Sequence, residues 1–382
     1  MKRPISDVME PTRVMITSGG GPGVWGLLHA LRRGDGRFQV IVQDCDADDT
    51  PGTVLGDERV HLPPACDPSY VERLLEHCGA ARVDVLIPVF DGELAAIAAA
   101  RGDFNAAGTR VLLPPIDVVR TCVDKWATHE RLEATPFLPR HRRVETLEET
   151  RDAIGGLGYP AQLLCIRPTN LAGGRGVHVL DAAVDAFAER LLSKPGVQRC
   201  TAEEFLELRA RGPERFRLIV SEFLPGDELG IDLLAAEGRV CELVTRRKCG
   251  AMHSGNPMRM DFIEAPAARA WIARLCRELR LDGLVNVDAR YDAAGVLRLI
   301  EINPRPSACI GMSAARVNLL EWAIDRLLGE ECDDTAAYSQ ENPPQRIVRA
   351  LADIAVRGSE GEVLLPLMQR ERELSGPARL TD

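Results

Sequence analysis

The segment Arg298-Leu-Ile-Glu-Ile-Asn-Pro-Arg-Pro306 decides how the rest of this sequence is interpreted. Side chains alternate between the two faces of a strand, so Glu301 and Asn303 project from the same face, two residues apart. A carboxylate and an amide oxygen side by side suit a hard divalent cation such as Mg²⁺. The segment therefore predicts part of a cation site on one strand.

The preceding strand supplies a third oxygen ligand, Asp288, at the end of Val285-Asn-Val-Asp288. A turn over residues 291–295 joins the two strands, and the resulting hairpin brings Asp288 beside Glu301. A solvated hairpin face is the alternative. We favour the metal site, because the neighbouring strand positions are apolar and a buried carboxylate needs a cation or a hydrogen-bond partner.

Length, composition and charge exclude several other classes of protein. The 382 residues are 45% hydrophobic and 27% charged, the balance of a globular protein of two or three domains. Apolar runs such as 83–90 are shorter than the roughly 20 residues that span a bilayer, and residues 1–12 lack the apolar segment of a signal peptide. A net charge of −10 argues against a basic nucleic-acid surface. We expect a protein with neither membrane nor nucleic-acid partners.

The eleven cysteines are scattered along the chain and include no CxxC pair. Zinc sites and disulfide frameworks need tighter spacing, so we interpret these residues as reduced thiols of a cytoplasmic protein. Lysine occurs only four times, which gives Lys125 and Lys248 more weight than a lysine usually carries.

Two patterns of secondary structure follow one another along the chain. Up to about residue 115, strands alternate with helices, which predicts a doubly wound parallel α/β sheet. From about residue 160, strand–turn–strand pairs predict antiparallel sheets and an α+β unit. The predicted domains are 1–115, 116–342 and a C-terminal extension over 343–382. The predicted strands are 13–17, 38–44, 83–88, 161–167, 177–180, 218–223 and 229–235, and the predicted helices are 24–33, 69–78, 93–101, 117–133, 146–155 and 183–192.

Two glycine-rich turns follow predicted strands. Residues 18–23 lack a clean GxGxxG with an acid at the expected spacing, so we interpret them as a tight structural turn rather than a dinucleotide cradle. Residues 169–176 follow Arg167, and a cation beside many free backbone N–H groups can wrap phosphate oxygens. At this point an ordinary β-turn is an equal alternative.

Two further segments carry polar residues at strand or helix positions. In Val220-Ser-Glu-Phe-Leu-Pro-Gly-Asp-Glu228 an apolar strand loses its pairing just before Pro-Gly, so its backbone can bond an adenine edge and Glu228 can hold ribose hydroxyls. Taken alone, a strand running into a solvated turn is the better interpretation. The pair Asp124-Lys125 lies inside the predicted helix 117–133.

Together, and in this order, these sites resemble the ATP-grasp superfamily, most closely its carbamoyl-phosphate-synthase-like branch. The resemblance extends from Val14 to about Gly329 and is most specific at Asn303-Pro-Arg305. Residues 17–23 and 87–93 look like that family's pre-ATP-grasp domain. The resemblance implies an ATP-grasp fold of two α+β subdomains after this domain, with the nucleotide-binding subdomain at about 140–225.

The resemblance also implies roles for individual residues. Arg167 stands where most members have lysine, which keeps the charge and alters the geometry. Glu222 and Leu224 would offer backbone groups to adenine, and Arg305 would reach the phosphate in transfer. The implied ATP-binding residues are Lys125, Arg167, Gly173, Gly174, Glu222, Phe223, Leu224 and Glu228. The implied catalytic residues are Arg305 and Arg246, and the ligands of Mg²⁺ or Mn²⁺ are Asp288, Glu301 and Asn303.

The implied activity is that of an ATP-dependent carboxylate–amine ligase. Such an enzyme transfers the γ-phosphoryl group to a carboxylate and forms an amide or peptide bond from the acyl phosphate. The implied substrates are small carboxylates and amines, in particular amino acids or a small peptide, and the chain is expected to form a homodimer. An enzyme that releases carbamoyl phosphate or another acyl phosphate and a non-catalytic ATP-binding protein are the alternatives.

Overall fold

A computed structural model describes residues 10–21, 23–33, 36–171, 174–185, 187–192, 197–253, 256–330, 335–349, 354–357 and 360–363. The strands are β1 (Thr12–Ile16), β2 (Phe38–Asp44), β3 (Glu58–His61), β4 (Val85–Ile87), β5 (Arg110–Val111), β6 (His141–Val144), β7 (Leu164–Pro168), β8 (His178–Leu180), β9 (Gln198–Cys200), β10 (Leu218–Glu222), β11 (Glu228–Ala236), β12 (Arg239–His253), β13 (Asn256–Phe262), β14 (Gly283–Tyr291), β15 (Leu297–Asn303), β16 (Arg346–Val348), β17 (Ile354–Arg357) and β18 (Glu360–Val363). The helices are α1 (Val24–Arg32), α2 (Pro51–Leu55), α3 (Tyr70–Ala80), α4 (Asp91–Ala99), α5 (Arg101–Ala106), α6 (Ile116–Val123), α7 (Lys125–Leu132), α8 (Leu147–Gly156), α9 (Ala202–Ala210), α10 (Pro266–Leu279), α11 (Ile310–Ser313) and α12 (Leu319–Leu328).

The first sheet is parallel throughout, with the strand order β3-β2-β1-β4-β5. Its central strands are apolar on both faces: Val14 and Ile16 enter one hydrophobic cluster, whereas Met15 between them enters another. A sheet buried on both faces needs helices on both sides, as a doubly wound fold has. The predicted α/β class of this region is therefore confirmed.

Two mainly antiparallel sheets follow. The second has the order β6-β10-β7-β8-β9, with one parallel pair at β8 and β9. The third has the order β15-β14-β11-β12-β13-β16 and is antiparallel. The predicted α+β character of this part is confirmed. Strand β16 pairs with β13, so the segment predicted as an extension from residue 343 contributes an edge strand to the third sheet.

Two predicted helices differ from the observed ones. The predicted helix 117–133 is interrupted at Asp124, whose extended backbone ends α6 and whose carboxylate accepts the N–H of Trp126 at 2.8 Å to cap α7. In the predicted helix 183–192, the described residues form a helical segment only over Ala188–Leu192, with π-type hydrogen bonding. Oδ1 of Asp185 accepts the backbone N–H groups of Phe187 and Ala188, at 3.0 and 3.1 Å, and so caps the start of this segment.

The N-terminal glycine turn is a packing device. A methyl group at Gly23 would lie 2.9 Å from the Cα atom of Ala308, and one at Gly311 would lie 2.6 Å from the carbonyl oxygen of Gly26. Helix α1 therefore approaches α11 closely enough that only glycine fits, which agrees with the structural interpretation of this turn. None of the helices in the described part of the chain is long and apolar enough to cross a membrane.

Candidate active site

The hairpin of β14 and β15 carries the predicted metal ligands. Its register places Asp288 opposite Glu301 and Asn286 opposite Asn303. The pairing shifts after Asp288, so the hairpin contains a bulge beside the two carboxylates. The predicted pairing of Asp288 with Glu301 is present, and the role of these residues as metal ligands stays a prediction.

Two of the four lysines reach this hairpin. The Nζ atom of Lys125, at the start of α7, lies 3.2 Å from Oε2 of Glu301. The Nζ atom of Lys248, on β12, lies 2.9 Å from Oδ1 of Asp288 and 2.6 Å from Oε1 of Glu228. We refer to Asp288, Glu301, Lys125 and Lys248 as the hairpin cluster. Each of its carboxylates faces an ammonium group that a different element supplies.

The two carboxylates of the hairpin cluster differ in their electrostatics. Burial raises the pKa of Asp288 to about 6, against the attraction of Lys248. Burial would also raise the pKa of Glu301, but Lys125 holds it below its usual value. Lys248 and Arg167 lower the pKa of Glu301 further. Glu301 is therefore the carboxylate on which the cations of the site act together.

The glycine-rich loop after β7 holds Lys125 in place. The backbone N–H of Lys125 donates to the carbonyl oxygen of Thr169 at 3.1 Å, and its Nζ atom donates to the carbonyl oxygen of Leu171 at 3.0 Å. Gly174 has a φ of +73° with open space around it, as a loop exposed to a ligand requires. Gly173, which was predicted to bind ATP, lies outside the described residues.

Arg167 joins the second sheet to the hairpin. It is only 7% exposed, and its Nη1 atom donates to the carbonyl oxygen of Ile300 at 2.8 Å. Its Nε–H is buried and has no hydrogen-bond partner among the described residues. A buried guanidinium with an unused donor is suited to an anion that enters the site.

The predicted adenine-binding segment follows β10. The carboxylate of Glu222 accepts hydrogen bonds from the backbone N–H and the Nε–H of Arg140, both at 3.0 Å. These bonds hold the Glu222 side chain against Arg140. The N–H of Phe223 donates to the carbonyl oxygen of Leu163 at 3.0 Å. The N–H of Leu224 has no partner among the described residues, which leaves it available to a ligand.

Sequence reasoning missed the partner of Arg305. This guanidinium forms a two-pronged ion pair with Asp91, with Nε 2.7 Å from Oδ1 and Nη2 3.1 Å from Oδ2. Asp91 is the first residue of α4 in the N-terminal unit. The acidic residues Asp91 and Glu93 at the end of the segment 87–93 were a signal for the start of this helix, but nothing in the sequence pairs residues 214 positions apart.

A buried glutamate fixes the start of the same helix. One carboxylate oxygen of Glu93 accepts the N–H groups of Val89 and Phe90, at 3.0 and 2.9 Å, and the Oγ1–H of Thr17 at 2.5 Å. The hydroxyl of Tyr70 donates to the other oxygen. Burial raises the pKa of Glu93 despite these bonds. This network holds Asp91, and through it Arg305, at the edge of the first sheet.

Arg246 lies in a different environment from the one its predicted catalytic role implies. Its side chain is 1% exposed, as is that of Asp232, and its Nη2 atom lies 2.6 Å from Oδ2 of Asp232. Its Nη1 atom donates to the carbonyl oxygen of Cys309 at 2.8 Å. The Nε–H of Arg246 is buried and has no hydrogen-bond partner among the described residues, so the catalytic role of Arg246 stays a prediction. We treat Arg246 as a supporting residue below.

Two family models match this sequence, one for each part of the fold. Residues 214–351 match a family described as "ATP-grasp in the biosynthetic pathway with Ter operon". Residues 14–112 match the N-terminal domain of PylC-like proteins. Residues 14–112 contain most of the first sheet, and residues 214–351 contain the third sheet. The N-terminal match thus precedes the ATP-grasp match, as the resemblance implies. The predicted resemblance to the ATP-grasp superfamily is therefore confirmed by the match over residues 214–351. Through this match the chain is homologous to ATP-dependent ligases that form C–N bonds.

Solved ATP-grasp structures share this fold at low sequence identity. The ADP complex of the N5-carboxyaminoimidazole ribonucleotide synthetase PurK has a TM-score of 0.61 and 16% identity, with 84% of this chain and 78% of that chain covered. An L-amino acid ligase from Bacillus licheniformis has a TM-score of 0.59 and 15% identity, with 86% and 78% covered. The biotin carboxylase domain of Hydrogenobacter thermophilus 2-oxoglutarate carboxylase, in complex with MgADP, ADP and bicarbonate, has a TM-score of 0.62 and 16% identity, with 93% and 83% covered. No curated protein matches the sequence.

Magnesium is typical of the ATP-grasp superfamily, and the residues of the hairpin are compatible with it. No group of three His, Cys, Asp or Glu side chains that could hold a metal ion occurs within the described ranges. The predicted set instead combines two carboxylates with the amide of Asn303. Mg²⁺ is commonly held by one or two carboxylates together with substrate phosphates and water, so two carboxylates suffice.

Proposed function

We propose that this ATP-grasp protein is a carboxylate–amine ligase that forms an amide bond through an acyl phosphate. One observation carries the proposal. Segments far apart in the sequence bring three cations to the hairpin: Lys125 lies 3.2 Å from Glu301, Lys248 lies 2.9 Å from Asp288, and Arg167 donates to the carbonyl oxygen of Ile300 at 2.8 Å. A ring of cations beside paired carboxylates is suited to a polyphosphate bound with a divalent metal ion.

The first proposed step is phosphoryl transfer to the acid substrate. A carboxylate oxygen attacks the γ-phosphorus, an O–P bond forms, and the bond to the β-phosphate oxygen breaks as ADP leaves with its electron pair. Lys125 and Arg167 hold the phosphate oxygens. The Nζ atom of Lys125 lies beside the glycine-rich loop, and the buried Nε–H of Arg167 is free to donate. Arg305 lies at the edge facing α4, where it can hold the transferred phosphoryl group.

The second proposed step forms the amide. The amine nitrogen attacks the acyl carbon, and the bond from that carbon to the phosphate oxygen breaks. Inorganic phosphate leaves with the electron pair and takes up the proton that the nitrogen loses. No covalent enzyme intermediate is needed, so positioning, charge stabilisation and exclusion of water are sufficient. Asp91 is a carboxylate close to Arg305 and faces this part of the site.

Asp288, Glu301 and Asn303 are the residues proposed to hold Mg²⁺. The ion, when bound, neutralises charge on the phosphate oxygens. The lysines of the hairpin cluster balance the two carboxylates in its absence, which supports a site built to exchange cations. Glu222, Phe223 and Leu224 are proposed to line the adenine, and Glu228 to bind the ribose. The free N–H of Leu224 supports the first of these assignments.

Amino acids are the substrates that we propose for the acid and the amine. The similarity in fold to an L-amino acid ligase supports this choice, although the low identity extends only to the fold. A cytoplasmic location belongs to the same proposal, because the spacing of the cysteines is not that of a disulfide framework. A homodimer and the domain boundaries 1–115, 116–342 and 343–382 are proposed as well.

The experiment that tests the proposal is a screen for ADP release against pairs of amino acids and small carboxylates. With the acid alone, ATP turnover is expected to be slow, since the acyl phosphate is sheltered from water. Addition of the correct amine is expected to accelerate ADP release and to give one amide per ADP, measured by mass spectrometry. Hydroxylamine is expected to intercept the acyl phosphate as a hydroxamate.

Two outcomes would replace the ligase proposal. Stoichiometric release of carbamoyl phosphate or another acyl phosphate into solution, with no amide from any amine, would make the acyl phosphate the product. Tight ATP binding with no ADP under any condition would indicate a non-catalytic binding protein.

A further inference from the structure

A buried chain of hydrogen bonds runs behind the hairpin to Asn303. The Nδ2–H of Asn303 donates to Oδ1 of Asn286 at 3.1 Å. The Nδ2–H of Asn286 donates in turn to Oδ1 of Asp232 at 3.0 Å. Asn286 is 4% exposed and Asp232 is 1% exposed, so neither can exchange these partners for water. We call Asp232, Asn286 and Asn303 the amide relay.

Asp232 is fixed as an acceptor at the buried end of the amide relay. Its Oδ2 atom accepts from Nη2 of Arg246 at 2.6 Å and from Oγ of Ser313 at 2.7 Å. A guanidinium has only donors, and the carboxylate that forms an ion pair with it has only acceptors. Both oxygens of Asp232 therefore accept and neither can donate.

The polarity of the amide relay follows from this fixed end. An ionised carboxylate accepts only, so Asn286 must turn its NH₂ group toward Asp232 and its carbonyl oxygen toward Asn303. Asn303 must then turn its own NH₂ group toward Asn286. The remaining polar atom of Asn303, its carbonyl oxygen, is the one left for the metal site.

We infer that the amide relay is a positioning device that presents the oxygen, and not the nitrogen, of Asn303 to the metal site. The inference rests on the proposed function, because it assumes that the hairpin holds a divalent cation. Amide nitrogens do not ligate Mg²⁺, whereas amide oxygens do. The inference also gives Arg246 a role: its ion pair fixes Asp232 as an acceptor and so sets the direction of the hydrogen bonds in the amide relay. Arg246 itself does not touch the substrate.

The test compares one disruptive variant with one that restores the polarity. Asn286→Leu keeps the branching at Cγ but removes the side-chain hydrogen bonds to Asn303, Asp232 and the carbonyl oxygen of Ile231, so Asn303 is free to rotate. Combining Asp232→Asn with Asn286→Asp moves the carboxylate one step along the relay. Asp at 286 accepts from Asn303, and Asn at 232 donates to it while accepting from Arg246 and Ser313. Net charge and the number of these bonds are kept.

The readout is the Mn²⁺ concentration that gives half of the rise in melting temperature of the ADP-bound protein, which reports binding without turnover. Loss of a residue that orients a metal ligand typically weakens metal binding about 10- to 100-fold. We therefore expect Asn286→Leu to raise the half-saturating concentration at least about tenfold. In the double variant this half-saturating Mn²⁺ concentration is expected to stay within about threefold of the wild-type value, because the hydrogen bond that orients Asn303 is kept.

Asn318→Leu is the matched control. Asn318 is 2% exposed and donates to the carbonyl oxygen of Ala30, away from the hairpin. The same change there is expected to lower the melting temperature without moving the Mn²⁺ dependence. The inference is overturned if folded Asn286→Leu protein binds Mn²⁺ as tightly as the wild type. It is overturned equally if the folded double variant binds as weakly as Asn286→Leu. If the wild type itself shows no Mn²⁺ response, the proposed metal site fails together with the relay.

Discussion

The third sheet, with Lys125 from α7 added to it, contains two groups of buried ionic residues. The sequence alone does not distinguish the two groups. One is the pair of Arg246 and Asp232, with both side chains 1% exposed. The other is the hairpin cluster, in which side-chain exposure ranges from 13% at Lys125 to 22% at Glu301. In the first group every charge faces protein. In the second the charges remain open to a ligand.

The comparison teaches that burial decides which ionic group serves folding and which serves binding. Removing one partner of an enclosed ion pair leaves an uncompensated charge, so its cost falls on stability. A carboxylate in a partly open cluster can exchange its lysine for another cation, so its removal is felt in function. The predictions below test this division.

The largest effect is expected from Arg246→Ala. The variant leaves Asp232 buried without its cation, which typically costs about 3–5 kcal/mol of the free energy of unfolding. Urea denaturation followed by circular dichroism measures it. Arg269→Ala is the control, because Arg269 forms an exposed ion pair with Glu242 at 2.9 Å and is expected to cost less than about 1 kcal/mol. Unchanged stability with lost turnover would return Arg246 to the catalytic residues.

Glu301→Gln is expected to act in the opposite way. Loss of this carboxylate removes a proposed metal ligand, and we expect ATP turnover to fall at least about 100-fold, the scale of losing one key electrostatic contact in an active site. Folding should be nearly intact, because neutralising Glu301 relieves its repulsion of Asp288. ADP release and thermal melting are measured together. Wild-type turnover with Mg²⁺ present would show that the hairpin is not the metal site.

Arg167 combines both kinds of environment, since it is enclosed yet keeps a free donor. Arg167→Ala is expected to raise the KM for ATP and lower kcat, together by about 10- to 100-fold for a charged hydrogen bond worth roughly 1.5–3 kcal/mol. Arg167→Lys should recover much of the loss, because charge is the main requirement. The exposed Arg211→Ala is the control. An unchanged KM for ATP in Arg167→Ala would remove Arg167 from the phosphate site.

The hairpin could be predicted from sequence because its information is local. Alternation along two strands joined by a short turn is enough to place Asp288 opposite Glu301. The parallel first sheet could be predicted for the same reason, since each strand and helix carries its own apolar pattern. The order of four short motifs was sufficient to identify the superfamily.

The remaining features depend on contacts between distant segments. The ion pair of Arg305 with Asp91 joins the hairpin to the N-terminal unit, and no periodicity encodes it. Arg246 was predicted to be catalytic from the resemblance to the ATP-grasp superfamily, and the alternative was a solvated charge run at a strand end. On β12, however, Arg246 pairs with Asp232 and Lys248 pairs with Asp288 on the same face of the sheet. Only tertiary packing decides which of the two cations is enclosed.

The smallest effect is expected at His129, which lies beside the site on α7. It is 1% exposed, and burial together with the nearby Arg167 holds its pKa well below the usual value. His141, whose ring centre is 4.4 Å from that of His129, and Arg143 add to the effect. The folded protein therefore keeps His129 neutral at a pH where the unfolded chain binds a proton.

The sign of the pH dependence follows from linkage. Below the unfolded pKa of about 6.5 the unfolded chain takes up a proton that folded His129 does not, so the free energy of unfolding falls as the pH is lowered. The slope from one such group is at most about 1.4 kcal/mol per pH unit. His129→Gln is expected to flatten the pH dependence of the urea-derived stability between pH 6.5 and 5, and His61→Gln, at an exposed position, is measured beside it as the control. If the free energy of unfolding depends on pH in the same way in both variants, the burial of His129 contributes nothing to stability. In that case α7 does not belong to the enclosed part of the site.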